Sequence, residues 1–200
     1  MKKIVKNTVK NTVKNTKNET YRGVKGKTKY IYQKYNHHPY QCGPYAIYNL
    51  LIRHARYYDL TKIIRLCKAT PRYGTLCKTM DATLIKINQI CDVDIKSIEP
   101  TYNSISDTVK KDGAVILLFH WQDAFAATDK DAFATTDKDA FAASGDHYAM
   151  IESFDNNKFK VINYSFEEQV KYISCSGLKT MLIRHKNEEF NEVYPKAWSL

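Results

Sequence analysis

The spacing of apolar and polar positions changes along the chain, and this change predicts an α+β fold with helices first and strands second. Over residues 43–58 the apolar positions follow a 3.6-residue period, which predicts a helix, and Pro44 suits its first turn. Shorter helices are predicted at residues 59–68, 79–91 and 104–111. The later segments GAVILLFHW, HYAMIESF and KFKVINYSF are rich in β-branched and aromatic residues and predict strands.

The turn between the last two predicted strands sets which side chains share a face of the sheet. If residues 155–157 form a three-residue loop, Ile151 pairs with Val161. Side chains alternate along a strand, so His147 and Asn163 then become diagonal neighbours on one face. A two- or four-residue loop would instead put them on opposite faces. The tolerance of Asn for the left-handed conformation at the end of such a loop favours the three-residue form.

Two repetitive segments are set apart from this pattern. Residues 1–30 contain VKNT three times and carry nine Lys, one Arg and one Glu, a charge of +9 out of the net +10. We predict that residues 1–30 form a disordered basic tail and that residues 31–200, with a net charge of +1, form one domain. Three eight-residue units begin with DAF at residues 123, 131 and 139, and residues 123–145 are interpreted as an expanded loop. Nucleic acid could bind only through the tail, by charge.

Composition excludes several classes of protein. The longest apolar run, AVILLF, is six residues long, whereas a membrane span needs about 20. The amino terminus has no apolar signal-peptide region, so no membrane association and an intracellular location are expected. The five cysteines are scattered without a CxxC pair, which argues against a disulfide framework and a zinc knuckle.

One cysteine has the local features of a nucleophile. Cys42 lies at the predicted start of a helix, where the partial positive charge and free N–H groups favour a thiolate. Gly43 lets a substrate approach the main chain closely. A cysteine nucleophile also needs an imidazole that takes its proton and a third polar group that orients the ring. His147 and Asn163, brought together by the predicted hairpin, can supply both.

These segments resemble a known family. QCGPYAIYNLL, KDGAVILLFHW and GDHYAMIESFDNNKFKVINYS, within residues 32–166, are similar to the papain-like cysteine peptidases, and especially to bacteriocin-leader peptidases and their stand-alone relatives. The resemblance implies a helical N-terminal half with the nucleophile at the start of the central helix, and an antiparallel sheet in the C-terminal half. It also implies a thiol protease that cleaves a peptide or isopeptide bond, without a cofactor.

The resemblance assigns roles to particular residues. Cys42 would be the nucleophile, His147 the general base and then acid, and Asn163 the orienting group of a catalytic triad. The family has a Gln six residues before the nucleophile, whose amide donates to the oxyanion together with the Cys main-chain N–H. This chain has Asn36 at that position, one methylene shorter, and Gln33 and Gln41 are the fallback donors.

Two other interpretations remain open at this stage. His37 and His38, together with Cys42 and His147, could bind a metal, but their spacing fits no common zinc signature, so no metal is expected. A papain-like domain could also bind protein with its triad idle. In either case the expected partner is a peptide or protein, and the oligomeric state stays undetermined.

Overall fold

The structure is a computed structural model that describes residues 30, 39–71, 73–120, 146–163, 169–187 and 191–200. Residues 1–29 of the predicted tail and the repeat segment 123–145 lie outside the described residues. Five α-helices occur within the described ranges: α1 Cys42–Arg53, α2 Leu60–Cys67, α3 Cys77–Cys91, α4 Tyr102–Lys110 and α5 Cys175–Met181. The first four confirm the predicted helices, and α5 was not predicted.

Helix α1 is the central helix and is buried along most of its length. It follows a short 3-10 turn, Pro39–Gln41, and every residue from Cys42 to Leu51 is buried. The helix ends at Arg53, five residues before the predicted end, because Ala55 adopts a left-handed conformation with φ of 53°. A left-handed residue cannot continue an α-helix.

Helices α2 and α4 each begin with a side-chain cap. The Asp59 side chain accepts a hydrogen bond from the Lys62 N–H at the start of α2, and Lys68 ends that helix in the left-handed conformation. Thr101 caps α4 in the same way by accepting from the Ser104 N–H. Such caps satisfy N–H groups that have no partner within the helix.

The strands of the described residues form one six-stranded antiparallel sheet and one two-stranded ribbon. The sheet has the order β1-β8-β2-β3-β4-β5, so the C-terminal strand inserts between β1 and β2. The strands are β1 Lys96–Ile98, β2 Val115–His120, β3 Asp146–Asp155, β4 Lys158–Ile162, β5 Val170–Ser174, β6 His185–Asn187, β7 Glu192–Tyr194 and β8 Lys196–Ser199. Strands β6 and β7 form the separate ribbon.

Two hydrophobic clusters lie on the two faces of the large sheet. The first contains Cys42 and the buried residues of α1, α2 and α3, together with Ile116, Tyr148 and Met150 from β2 and β3. The second contains the buried residues of α4 and α5 together with Phe119 and other alternate residues of the strands. The sheet is therefore covered on both faces, which accounts for the nearly continuous burial of β2.

The β3-β4 hairpin differs from the prediction in two features that compensate each other. Its loop has two residues, Asn156 and Asn157, both left-handed with φ of 48° and 61°, so the predicted three-residue loop is wrong. A β-bulge between Ile151 and Ser153 adds one residue to β3. The extra residue reverses the shift caused by the shorter loop, so Ile151 pairs with Val161 as predicted.

The bulge residue, Glu152, makes contacts of its own. Its carboxylate accepts a hydrogen bond from the Tyr30 hydroxyl at 2.6 Å and pairs with the Lys160 ammonium at 2.7 Å. Tyr30 is buried against the first cluster. The bulge thus binds Tyr30 to the sheet.

Together these elements confirm the α+β class, with most of the helices in the N-terminal half and an antiparallel sheet formed mainly by the C-terminal half. Among the described residues, no helix is long and apolar enough to cross a membrane.

Candidate active site

Cys42 is the first residue of α1, and its side chain is 6% exposed. Main-chain N–H groups of Tyr148, Gly43 and Cys42 itself point at the sulfur. Two of these groups belong to the unpaired first turn of α1, and the third comes from β3. The sulfur therefore lies where the helix amino terminus meets the strand that carries His147.

The thiol is not ionised in this environment. Burial raises the pKa of Cys42 from 9.0 to about 11, the three N–H groups lower it only in part, and the nearby Asp146 carboxylate raises it further. The N–H groups at the helix start favour the thiolate, as expected, but burial outweighs them and the thiol keeps its proton. The field of a helix terminus contributes roughly 0.3–2 kcal/mol, which is less than the cost of desolvating a buried anion.

His147 and Asn163 lie together, as the strand register predicts. The Nε2 atom of His147 is 2.7 Å from the main-chain carbonyl oxygen of Asn163, and each residue is 2% exposed. A carbonyl oxygen only accepts hydrogen bonds, so Nε2 donates and must carry the proton. In the neutral ring Nδ1 is then the basic nitrogen. The orienting contact comes from the main chain of Asn163 and fixes this tautomer.

The imidazole is neutral at physiological pH. Burial lowers the pKa of His147 from 6.5 to about 4, and the hydrogen bond to the Asn163 carbonyl opposes this shift only in part. The ring also packs edge-on against the ring of Phe119, with centroids 5.7 Å apart. A thiol with a pKa of about 11 and an imidazole with a pKa of about 4 form a neutral resting pair.

The backbone of Asn163 explains why its carbonyl faces the ring. Asn163 follows β4 directly and is left-handed, with φ of 56°. Its N–H donates to the carbonyl oxygen of Gln169 at 2.6 Å, next to the start of β5. Asn adopts this conformation more readily than most residues other than glycine. The residue type at position 163 therefore suits its backbone conformation.

The three residues approach one another from two directions. His147 pairs with Phe119 and lies on the same side of β3 as Ala149. Phe119 and Ala149 both belong to the second cluster. Cys42 belongs to the first cluster, and its sulfur contacts the main chain of Tyr148, the residue after His147. The structure thus joins His147 to Asn163 directly and brings the Cys42 sulfur to the adjacent residue of the same strand.

The predicted oxyanion donors fall into two groups. Asn36 and Gln33 lie outside the described residues, as do His37 and His38. Gln41 is described: it precedes α1, is 8% exposed, and its side chain makes no capping hydrogen bond to the helix. The main-chain N–H groups of Tyr148, Gly43 and Cys42 are the donors that the structure places at the sulfur.

Two residues near the sulfur were not predicted from the sequence. Tyr148 contributes its N–H to the sulfur and donates its hydroxyl to the main-chain carbonyl of Thr75 at 3.0 Å. Thr75 itself packs against Gly43, since a β-carbon added to Gly43 would lie 2.9 Å from Thr75 Oγ1. Thr75 is 33 residues from Cys42, and no local pattern links the two. The part of the chain that the structure describes contains no cluster of three His, Cys, Asp or Glu side chains suited to a metal ion.

Comparisons with known proteins find structural similarity only. One similar structure is the peptidase domain of Streptococcus ComA, described as a bi-functional ABC transporter involved in a quorum-sensing pathway. It is 15% identical, the alignment covers 80% of this chain and 90% of that chain, and the TM-score is 0.46. Another is a double-glycine-motif protease from an AMS/PCAT transporter, solved in complex with the leader peptide. It is 13% identical, the alignment covers 88% of this chain and 94% of that chain, and the TM-score is 0.45. No protein-family model and no curated protein sequence matches the chain.

Proposed function

We propose that this protein is a papain-like cysteine peptidase that cleaves a peptide or isopeptide bond through Cys42, His147 and Asn163. One observation carries the proposal: the 2.7 Å hydrogen bond to the Asn163 carbonyl leaves Nδ1 as the base of a buried imidazole, one residue from the main-chain contact of the Cys42 sulfur. A nucleophile, a base and an orienting group in this order are what thiol-dependent acyl transfer requires.

The chemistry follows from these assignments. As the Cys42 sulfur attacks the substrate carbonyl carbon, its proton passes to Nδ1 of His147, and the C–S bond forms while the carbonyl becomes an oxyanion. The imidazolium, held by Asn163, then donates that proton to the leaving amine as the C–N bond breaks. Water attacks the resulting thioester, giving its proton to the imidazole. The C–S bond then breaks, and the imidazolium returns that proton to the sulfur, which releases the free acid and restores the neutral thiol.

Proton transfer in this scheme starts from a neutral pair. A thiol with a pKa of about 11 is thiolate in only about one molecule in 10⁴ at pH 7. His147 must therefore remove the proton during attack instead of holding a preformed thiolate. The low pKa of His147 keeps the ring available as a base down to about pH 4.

The experiment that tests this proposal is hydrolysis of a positional library of fluorogenic peptides. We expect turnover by the wild-type chain and a loss of at least about 10³-fold in Cys42→Ala and in His147→Gln, because both groups act in the same step. Cys175→Ser is the matched control, since Cys175 is a partly exposed free cysteine on α5. Turnover that persists in Cys42→Ala would contradict the proposal.

A second candidate is a papain-like domain that binds protein with its triad idle. The raised pKa of Cys42 favours it, as does the position of His147 on the side of β3 that faces the second cluster. Alkylation by iodoacetamide at pH 7 separates the two functions. Labelling of Cys42 that is slowed by His147→Ala supports the enzyme, whereas labelling no faster than that of Cys67 or Cys91 and insensitive to His147→Ala supports the idle domain.

A further inference from the structure

The hydroxyl of Thr75 lies beside Gly43 in the first turn of α1. Thr75 is 6% exposed, and within the described part of the chain no group forms a hydrogen bond with its Oγ1. Leaving a buried hydroxyl without a partner costs about 1–3 kcal/mol. A group kept at such a cost is a candidate for contact with a ligand.

The loop that carries Thr75 is closed by its own hydrogen bonds. The Thr70 N–H donates to the Gly74 carbonyl at 3.1 Å, and the Gly74 N–H donates to the Thr70 carbonyl at 2.8 Å. Gly74 is left-handed, with φ of 61°, and Thr70 Oγ1 accepts from the Tyr73 N–H at 3.2 Å. The loop is therefore a closed unit that presents Thr75 in one position.

Tyr148 holds Thr75 relative to the strand that carries His147. Its hydroxyl donates to the Thr75 carbonyl, while its own N–H points at the Cys42 sulfur. The main-chain carbonyl of Thr75 is thus occupied, and its hydroxyl lies beside Gly43 in the first turn of α1. One residue, Tyr148, links the loop through its hydroxyl and the sulfur through its main-chain N–H.

The first turn of α1 leaves room for this hydroxyl because residue 43 is glycine. A β-carbon on Gly43 would lie 2.9 Å from both Oγ1 and Cβ of Thr75, which is closer than real contacts allow. The hydroxyl therefore occupies space beside the Gly43 main chain, next to the N–H groups of Cys42 and Gly43 that surround the sulfur.

We infer that the Thr75 hydroxyl is a hydrogen-bond donor to the oxyanion formed during acyl transfer at Cys42, an inference that rests on the proposed function. The helix amino terminus supplies main-chain N–H groups, and Thr75 adds a side-chain donor on the Gly43 side. A preorganised donor aimed at developing negative charge is worth about 10²–10³ in rate. In the family, the amide of a Gln donates a hydrogen bond to the oxyanion. Thr75 then supplies this hydrogen bond in the present chain, which has the shorter Asn36 at the position of that Gln.

The test is a matched set of threonine variants assayed with the fastest substrate of the fluorogenic library. Thr75→Val keeps the shape and removes the hydroxyl, and we expect kcat to fall about 10²-fold while KM stays within about twofold. Thr75→Ser restores the donor and should recover most of the rate. Thr83→Val is the control, because Thr83 is equally buried but lies within α3.

A peptide aldehyde gives a second readout, since its adduct with Cys42 places an oxygen in the same site. Thr75→Val should weaken aldehyde inhibition by about the same factor as kcat. Unchanged kcat and unchanged inhibition in Thr75→Val, with activity still lost in Cys42→Ala, would overturn the role of Thr75 and leave the proposed function standing. Absence of Cys42-dependent turnover in the wild-type chain would overturn both. A loss of rate in Gln41→Met alone would assign the donor to Gln41.

Discussion

Replacing His147 with glutamine should change how stability depends on pH. The side chain is 2% exposed and its pKa is lowered from 6.5 to about 4, mainly by burial. As pH falls below 6.5, the unfolded chain takes up a proton at this position and the folded protein does not. Stability is therefore fully present above pH 6.5 and decreases as pH falls to about 4, below which the loss stays constant.

The size of this loss follows from the two pKa values. Each pH unit between them corresponds to about 1.4 kcal/mol, so the interval from 6.5 to about 4 gives roughly 3 kcal/mol. This is a large part of the 5–15 kcal/mol that stabilises a typical domain. Glutamine does not titrate and can donate from its amide to the Asn163 carbonyl, so His147→Gln should lack this component.

Urea unfolding at pH 7.5 and pH 4 measures the effect. Between these values the wild-type chain should lose about 3 kcal/mol more unfolding free energy than His147→Gln. His54→Gln is the control: the pKa of His54 is also lowered, chiefly by burial and also by Arg53, but the side chain is only partly buried, so its effect should be smaller. Equal pH dependence in the wild type and His147→Gln would refute the reasoning, as would an NMR titration of the His147 ring with a midpoint near 6.5.

Four further predictions concern three contacts and the basic tail. Asn163→Gly should keep the hydrogen bond to His147 and the activity. Asn163→Val should lose both and destabilise the fold by about 1–3 kcal/mol, because valine is strained at φ of 56°. Thermal unfolding and peptide hydrolysis measure these effects, and equal behaviour of the two variants would contradict the prediction. Gly43→Ala should lower the free energy of urea unfolding by about 1–3 kcal/mol, because the added methyl group clashes with Thr75. The loss should be larger than in Gly177→Ala, where the nearest atom to the added β-carbon would be 3.3 Å away. The opposite order would show that the loop that carries Thr75 moves aside easily. Tyr30→Phe should lower the unfolding free energy by about 1–2 kcal/mol, because Glu152 loses a donor. Deletion of residues 1–29 should leave the unfolding free energy unchanged and abolish any binding to nucleic acid. Nucleic-acid binding that survives the deletion would place the binding site in the folded domain.

Local patterns predicted the elements that depend on local physics. The helix predicted at residues 59–68 matches α2, Leu60–Cys67, and β2 follows from a continuous β-rich run. The pairing of Ile151 with Val161 was also correct, although for an incomplete reason. Only the two left-handed asparagines and the bulge at Glu152, acting together, produce that register.

Features that depend on distant contacts could not be predicted from the sequence. Strand β8 pairs with both β1 and β2, and its four residues have no distinctive pattern of their own. The pKa of Cys42 follows from burial between α1 and the sheet, which a helix-start pattern does not show. The position of Thr75 depends on a loop closure and on the hydroxyl of Tyr148, 73 residues further along the chain.

Mass spectrometry of the intact protein during turnover tests the central claim most directly. The wild-type chain, quenched in acid while hydrolysing the fastest library peptide, should carry one acyl group, and fragmentation should locate it on Cys42. The adduct should be absent from Cys42→Ala and strongly reduced in His147→Gln, because the thiol then has no base to take its proton. An unmodified wild-type chain during turnover, or an acyl group on Cys91 or Cys175 instead, would contradict the assignment of Cys42 as the nucleophile.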